Sequence, residues 1–298
     1  MSGEPVIETR NLVKRYGAKP VLNGLDLRVD AGQVLGFLGR NGAGKTTTLR
    51  ILVGLRRATS GSAAVFGCDS WRLSLRERQR LGYLSETQTA FPWMRVEELL
   101  AFAAAFHPTW DGAYARDLLR KLELPTRERV RALSLGQGRR LGLILALCHH
   151  PDLLVLDEPA GGLDPVVRRE FLDVVIDLVA REGKTVIFSS HILTDVERLA
   201  SHIGILETGR LIHHGTLDAL QDSVREIDLE LDEAPERIEV PGALRVTRRG
   251  PRSWTVTLPA CDDAAVARLQ ARFPAAGLSV RALSLEEIFF AYVGGRHE

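Results

Sequence analysis

The chain has 298 residues, 45% hydrophobic and 26% charged, with a formal net charge of +1. That balance is of a globular protein and argues against a general nucleic-acid footprint, and no apolar run approaches the ~20 residues of a membrane span. Cys68, Cys148 and Cys261 are far apart and odd in number, so neither a disulfide framework nor a thiolate metal site is expected.

Met1 to Arg10 lacks the apolar core of a signal segment, so cytoplasmic residence is expected. Val6–Leu12 and Val21–Val29 alternate loosely on either side of the turn Tyr16-Gly17-Ala18-Lys19-Pro20 and predict antiparallel strands. The apolar run Val34–Leu38 leads into Gly39-Arg40-Asn41-Gly42-Ala43-Gly44-Lys45-Thr46-Thr47, and a helical stretch follows over Thr46–Leu55. Strand, glycine-rich loop and helix in that order cradle phosphates. The glycines let backbone N–H groups converge, and the helix N-terminus adds partial positive charge. The spacing places Lys45 on the β- and γ-phosphates of a nucleoside triphosphate and the Thr46 hydroxyl on Mg²⁺. Ser62–Phe66 is expected as a further strand.

From about Glu86 to His150 the sequence reads mostly helical, with apolar helical spacing over Val96–Phe106 and Tyr114–Leu122. Leu133-Ser134-Leu135-Gly136-Gln137 precedes a helix over Arg139–Leu147, with Ser134 as its N-cap and N–H groups free to face an anion. Leu153–Leu156 is a continuous apolar run, as expected of a strand covered on both faces. It ends in Asp157-Glu158, at the sheet edge where open α/β sheets bind ligands. Asp157 can face Mg²⁺ while Glu158 reaches a water beside the γ-phosphate as general base. Strands Thr185–Ser189 and Ile203–Leu206 alternate with helices Pro165–Arg181 and Thr194–Ala200, which predicts an open, mostly parallel sheet with helices on both faces.

Composition changes near Gln221. From there on the net charge is about −3, against about +4 before it. Strands around Ile227–Asp232 and Trp254–Leu258 and helices over Ala264–Phe273 and Leu285–Val293 predict a small α+β appendage at 221–298, after a nucleotide-binding α/β domain at 1–220 with a helical part at about 86–150.

Taken in order, these motifs resemble the ATP-binding cassette (ABC) ATPases over about residues 5–220. Tyr16 matches the aromatic that stacks on adenine, Gly39–Thr47 the Walker A loop, and Leu133–Gln137 the signature. Leu153–Glu158 resembles the Walker B strand, Gly162-Leu163-Asp164 the D-loop, and His191 in Ser189-Ser190-His191 the switch histidine. The resemblance implies a P-loop fold with a mostly parallel sheet, an antiparallel β part and a helical part. It also implies Mg²⁺-dependent ATP hydrolysis across a head-to-tail pair, in which Ser134 and Gly136, with Gln137, touch the nucleotide of the opposite copy. Three positions depart from the family's pattern. Glu86 stands where glutamine is usual beside the metal, Leu135 replaces the first signature glycine, and Ala160-Gly161 stands where a hydroxyl residue is common.

The implied partners are a separate transmembrane permease subunit and a second copy or a paralogous ATPase, with no nucleic acid. The chain would then lie peripherally on the inner face of the membrane. Phe91-Pro92-Trp93-Met94 is a candidate socket for a cytoplasmic helix of the permease. Ser284-Leu285-Glu286-Glu287-Ile288-Phe289 resembles the ending of exporter cassettes, which favours export. The alternative is a soluble ABC ATPase acting on ribosomes or nucleic acid, although such members usually carry two cassettes or long coiled coils.

Overall fold

The computed structural model describes residues 4–86, 91–273 and 275–294. Residues 87–90, at the start of the expected helical part, and the first three residues of the N-terminal segment lie outside them. The chain divides into two compact units, Met1–His214 and Gly215–Glu298. The division falls six residues before the expected one, because the composition change near Gln221 occurs inside the first helix of the second unit rather than at its border.

The first unit begins with the antiparallel strands β1 (Ile7–Tyr16) and β2 (Lys19–Val29). After them come β3 (Val34–Leu38) and α1 (Lys45–Leu52), then β4 (Ser60–Val65) and the two-residue β5 (Cys68–Asp69). β2, β1, β4 and β5 form a four-stranded sheet in that order. Helix α2 (Leu75–Gln79) and strand β6 (Leu81–Leu84) follow. The helical part then runs through α3 (Val96–Ala104), α4 (Gly112–Lys121) and α5 (Leu135–Leu147). The alternation closes with β7 (Leu153–Leu156), α6 (Pro165–Glu182), β8 (Thr185–Ser189), α7 (Leu193–Leu199), β9 (His202–Glu207) and β10 (Arg210–Thr216).

The central sheet has the order β10-β9-β3-β8-β7-β6, and its β9-β3-β8-β7-β6 pairings are parallel. Every residue of β3, β7 and β8 is buried, which is why these strands read as unbroken apolar runs rather than alternating ones. Their C-terminal ends lie side by side, so the segments leaving β3, β7 and β8 emerge at one edge. Leu22, Leu25, Phe37, Leu49, Val155 and Ile187 belong to one core that joins the antiparallel sheet, α1 and the central sheet.

Local signals account for the helix limits. Asp164 caps α6 by accepting from the N–H groups of Val166 and Val167, Pro165 occupies its first turn, and Gly183 ends it in a left-handed conformation. Ser134 and Gln137 form a reciprocal capping box, so α5 starts four residues earlier than the apolar spacing from Arg139 suggests. β6 and β10 were not foreseen. β6 is a four-residue strand containing Gly82, too short for a periodic signal. β10 carries Arg210, His213, His214 and Gly215, which mask its alternation.

The second unit contains α8 (Leu217–Ser223), β11 (Arg225–Leu231), β12 (Arg245–Arg248), β13 (Ser253–Leu258), α9 (Asp263–Arg272), β14 (Ala275–Ala282) and α10 (Leu285–Gly294). Its antiparallel sheet has the order β12-β13-β11-β14. Ile227, Leu229, Trp254, Val256 and Leu269 form its core. Thr255 and Thr257 on the other face of β13 are buried as well, and Thr255 donates to Asp228 at 2.7 Å.

Candidate nucleotide site

The loop after β3 turns sharply into α1. Gly44 precedes the helix with φ of +113°, and a Cβ there would lie 2.7 Å from Leu22 Cδ2, so backbone conformation and space both require glycine. No acid occupies the first turn of α1, which leaves its N–H groups and dipole uncompensated. Lys45 is 6% exposed and folds back over the loop, where Nζ donates to the Gly39 carbonyl at 2.7 Å.

The end of β7 supplies both carboxylates. Asp157 is fully buried, and its Oδ1 accepts from Thr46 Oγ1 at 2.9 Å and from Ser189 Oγ at 2.9 Å. Its Oδ2 is buried with no hydrogen-bond partner among the described residues. Burial pushes the Asp157 carboxyl above its usual range, against the hydrogen bonds from Thr46 and Ser189 that pull it down. A buried carboxylate with one oxygen unused calls for a cation. The donors present suit Mg²⁺, which takes one or two protein oxygens and completes its shell with phosphates and water. Among the described residues no group of three acidic, histidine or cysteine side chains forms a self-sufficient metal cage.

Glu158 takes a left-handed backbone with φ of +48°, held by its N–H donating to Ser189 Oγ at 2.8 Å. A non-glycine residue in that region marks stored strain of the kind found at functional sites. The turn aims its carboxylate between two cations or potential cations. Oε1 lies 3.4 Å from Lys45 Nζ, and Oε2 lies 2.7 Å from His191 Nδ1. His191 follows β8 on a turn in which Ser190 Oγ accepts from the Ile192 N–H at 2.9 Å.

Lys45, Thr46, Glu158 and His191 line one cleft of about 560 Å³, within the size range of small-molecule sites, and the buried Asp157 reaches it through its hydrogen bond with Thr46. Arg40, Asn41, Gly42, Gly44, Lys45, Thr46 and Thr47 line the cleft together with Glu86, Glu158 and His191. Ala43 is buried behind the loop and Gly39 contributes its carbonyl. The remaining sequence candidates lie elsewhere. Tyr16 is at the end of β1, 46% exposed, with Lys14 Nζ 5.0 Å from its ring centroid, and the neighbouring Lys19, Pro20 and Val21 line the cleft. Ser134, Gly136 and Gln137 sit at the start of α5 outside the cleft, and Asp164 caps α6.

Two residues of the site escaped sequence reasoning. Ser189 is the last residue of β8 and bridges Asp157 to the Glu158 backbone, a role visible only once β7 and β8 are paired. Arg139 is 5% exposed, lines the cleft, and donates Nη1 to the Ser85 carbonyl at 2.9 Å. Burial pulls its pKa down, while Glu86, Asp157 and Glu158 oppose that shift.

Comparison with known proteins gives the family. A family model described as ABC transporter matches residues 22–161. The chain is 35% identical over 227 residues to the bacitracin transport ATP-binding protein BcrA of Bacillus licheniformis, covering 74% of this chain and 73% of that protein. It is 29% identical over 291 residues to the ABC transporter ATP-binding protein YtrB of Bacillus subtilis, covering 98% and 99%. It is 40% identical over 222 residues to the Nod factor export ATP-binding protein I of Burkholderia lata, covering 73% of each. A solved structure described as the ATP binding subunit of an ABC transporter superposes with a TM-score of 0.67 at 29% identity, covering 73% of this chain and 92% of its own.

Proposed function

This chain belongs to the ABC transporter family as an ATP-binding, ATP-hydrolysing subunit, and from that premise we propose that it drives export through a separate membrane subunit, two ATPase subunits closing on ATP. The observation that carries the chemistry is the convergence of Lys45, Thr46, Glu158 and His191 on one cleft at the C-terminal ends of β3, β7 and β8, with the buried Asp157 bonded to Thr46.

ATP places its phosphates at the N-terminus of α1, where backbone N–H groups and Lys45 take up the β- and γ-charge. Lys45 then exchanges Glu158 for phosphate. The released Glu158 carboxylate orients a water and accepts its proton as the γ-phosphoryl group departs. His191 steadies that carboxylate through its 2.7 Å contact. Thr46 and Asp157, with Glu86 close by, would hold Mg²⁺, which when bound supplies the charge neutralisation that phosphoryl transfer needs. Tyr16 is assigned to the adenine.

Ser134, Gly136 and Gln137 begin a capped helix yet do not line their own cleft, which supports their acting on the nucleotide of an opposed copy or paralogue. Hydrolysis is then coupled to opening and closing of the pair. Asp164 at the start of α6 is assigned to the same interface.

Among the described residues no helix is long and apolar enough to cross a membrane, so a permease subunit supplies the path and this chain lies against its cytoplasmic side. The helical part offers an aromatic surface for it. Phe91, Trp93, Phe102 and Phe106 form a chain of edge contacts, with centroids 5.7, 5.0 and 5.0 Å apart. Trp93 and Phe106 are more than half exposed. Large rings left in solvent mark interaction sites. Export is favoured because two relatives are named for bacitracin transport and Nod factor export. Mild detergent extraction and affinity capture of this chain should bring down one polytopic membrane protein. Recovery of ribosomes or nucleic acid in its place would overturn the assignment.

A further inference from the structure

Leu135 stands where the family's signature has its first glycine, and it has no part in the chemistry of the cleft. It is the first residue of α5, next to the Ser134 cap. It is 61% exposed and does not line the nucleotide cleft, so neither core packing nor ligand contact accounts for it. Its side chain lies against Gly162. A Cβ on Gly162 would stand 3.0 Å from Leu135 Cδ2, and one on Gly136 would stand 3.6 Å from Leu163 Cδ2 and 3.8 Å from Val167 Cγ1. The first turn of α5 therefore rests on the segment that runs from Gly162 into α6. A glycine at position 135 would carry no atom to reach Gly162.

Gly162 belongs to the turn that leaves β7 through Glu158. In that turn the Glu158 carbonyl accepts the Gly161 N–H at 3.2 Å, and the Ala160 carbonyl accepts the Leu163 N–H at 3.3 Å. Both bonds are longer than the usual length of about 2.9–3.0 Å. Glu158 and Gly162 are both left-handed, with φ of +48° and +74°. A backbone of this kind persists only where its surroundings hold it. Gly161 and Gly162 line the nucleotide cleft beside Glu158 and His191, so any slack in the turn reaches the cleft directly. Leu135 is the side chain that lies on this turn from α5.

We propose that Leu135 is a positioning residue for hydrolysis: lying on Gly162, it braces the turn that aims the Glu158 carboxylate in its own chain. This rests on the reading of Glu158 as the base. The brace comes from the helix whose capped start serves the opposite nucleotide. A shift of α5 as the pair closes therefore moves Leu135 on Gly162, and the turn with it. Signature and base are connected within one chain by a side chain that a glycine lacks.

The test uses the full chain with ATP and Mg²⁺. Leu135→Ala shortens the side chain and keeps a good helix former at the start of α5. It should lower kcat about tenfold, since misplacing a reacting group by about 1 Å can cost a hundredfold. KM, and the ATP affinity read by calorimetry in EDTA, should change less than about twofold. Leu135→Met reaches as far and should keep kcat within about twofold of wild type. An unchanged kcat in Leu135→Ala, or an affinity loss as large as the loss of kcat, overturns the proposal. A double-mutant cycle asks whether the effect runs through Gly162. A methyl group there presses on Leu135 in wild type and has room in Leu135→Ala, so Gly162→Ala should cost about threefold less kcat in the second background than in the first. Additive losses would place the action of Leu135 elsewhere, on the opposite nucleotide for instance, and overturn it. If Gly162→Ala does not fold, amide exchange in the nucleotide-free chain decides: Leu135→Ala should speed exchange at Gly161 and Leu163 about threefold or more, and unchanged exchange overturns the brace. Glu158→Gln separates the two levels. Undiminished phosphate release in that variant removes the reading of the base, while exchange at Gly161 and Leu163 judges the brace by itself.

Discussion

Replacing Glu158 with glutamine should push binding and turnover in opposite directions. Without nucleotide, the Glu158 carboxylate occupies Lys45, with Nζ and Oε1 3.4 Å apart and the two side chains 6% and 12% exposed. ATP must displace that carboxylate to gain the ammonium. The bare attraction at this distance is about 5 kcal/mol at an effective dielectric of ~20. Most of it is offset by the cost of desolvating the two ions, so removing the competitor should leave a net gain of about 1 to 1.4 kcal/mol, or five- to tenfold tighter ATP binding. Turnover should fall by about two to four orders of magnitude, the usual contribution of a positioned base. Glutamine keeps the shape and can still meet His191, so the cleft should survive the change. Calorimetry with ATP and a phosphate-release assay on the same preparation would measure both effects. Weaker binding in the glutamine variant would refute the competition between Glu158 and phosphate for Lys45. Undiminished phosphate release would refute the assignment of the base.

Two further predictions concern other regions. Trp93→Ala should reduce recovery of the membrane partner about fivefold or more while ATP affinity stays the same, as expected for an exposed anchor; equal recovery would move the docking surface elsewhere. His149 is 3% exposed and stacks on His107 with centroids 4.0 Å apart. Burial, then the charge on His107, pushes its pKa down to about 4 from the usual 6.5. Below about pH 6.5 the unfolded chain takes up a proton that the folded one refuses, so stability falls with pH until the folded value is reached. At pH 5 that is about 2 kcal/mol from this residue. Urea unfolding at pH 7.5 and 5.0 should show wild type losing about that much more than His149→Leu, and equal losses in both proteins would refute it.

How much of the site could be read in advance depended on chain separation. The loop Gly39–Thr47 and the pair Asp157-Glu158 are local. Each is a few residues long, attached to a buried strand, and the strand direction dictates where the side chains emerge. The cap on α5 is equally local, and Ser134 is its N-cap as expected. Tyr16 shows the limit: its place at the end of β1, with Lys14 Nζ 5.0 Å from its ring centroid, comes from the hairpin, which also brings Lys19, Pro20 and Val21 to the cleft.

Short elements were harder. β6 has four residues and β5 two, so neither spans enough positions for a period to show. The second unit was legible where apolar residues alternate, in β11 and β13. It was not in β12 or β14, whose short or mixed stretches acquire meaning from the strands they pair with.

The sequence alone determined that this chain carries a glycine-rich loop between a buried strand and a helix, and a carboxylate pair at the end of another buried strand. Those groups are set by backbone geometry within a few residues. Only the tertiary structure decided that Ser189 braces Asp157, that Glu158 neutralises Lys45 and leans on His191, and that Arg139 crosses from a helix to bond the Ser85 carbonyl. Those partners lie 32, 113, 33 and 54 residues apart, a distance over which no helical or strand period carries information. What joins them is the order in which parallel strands stack and the burial that makes each charge seek another.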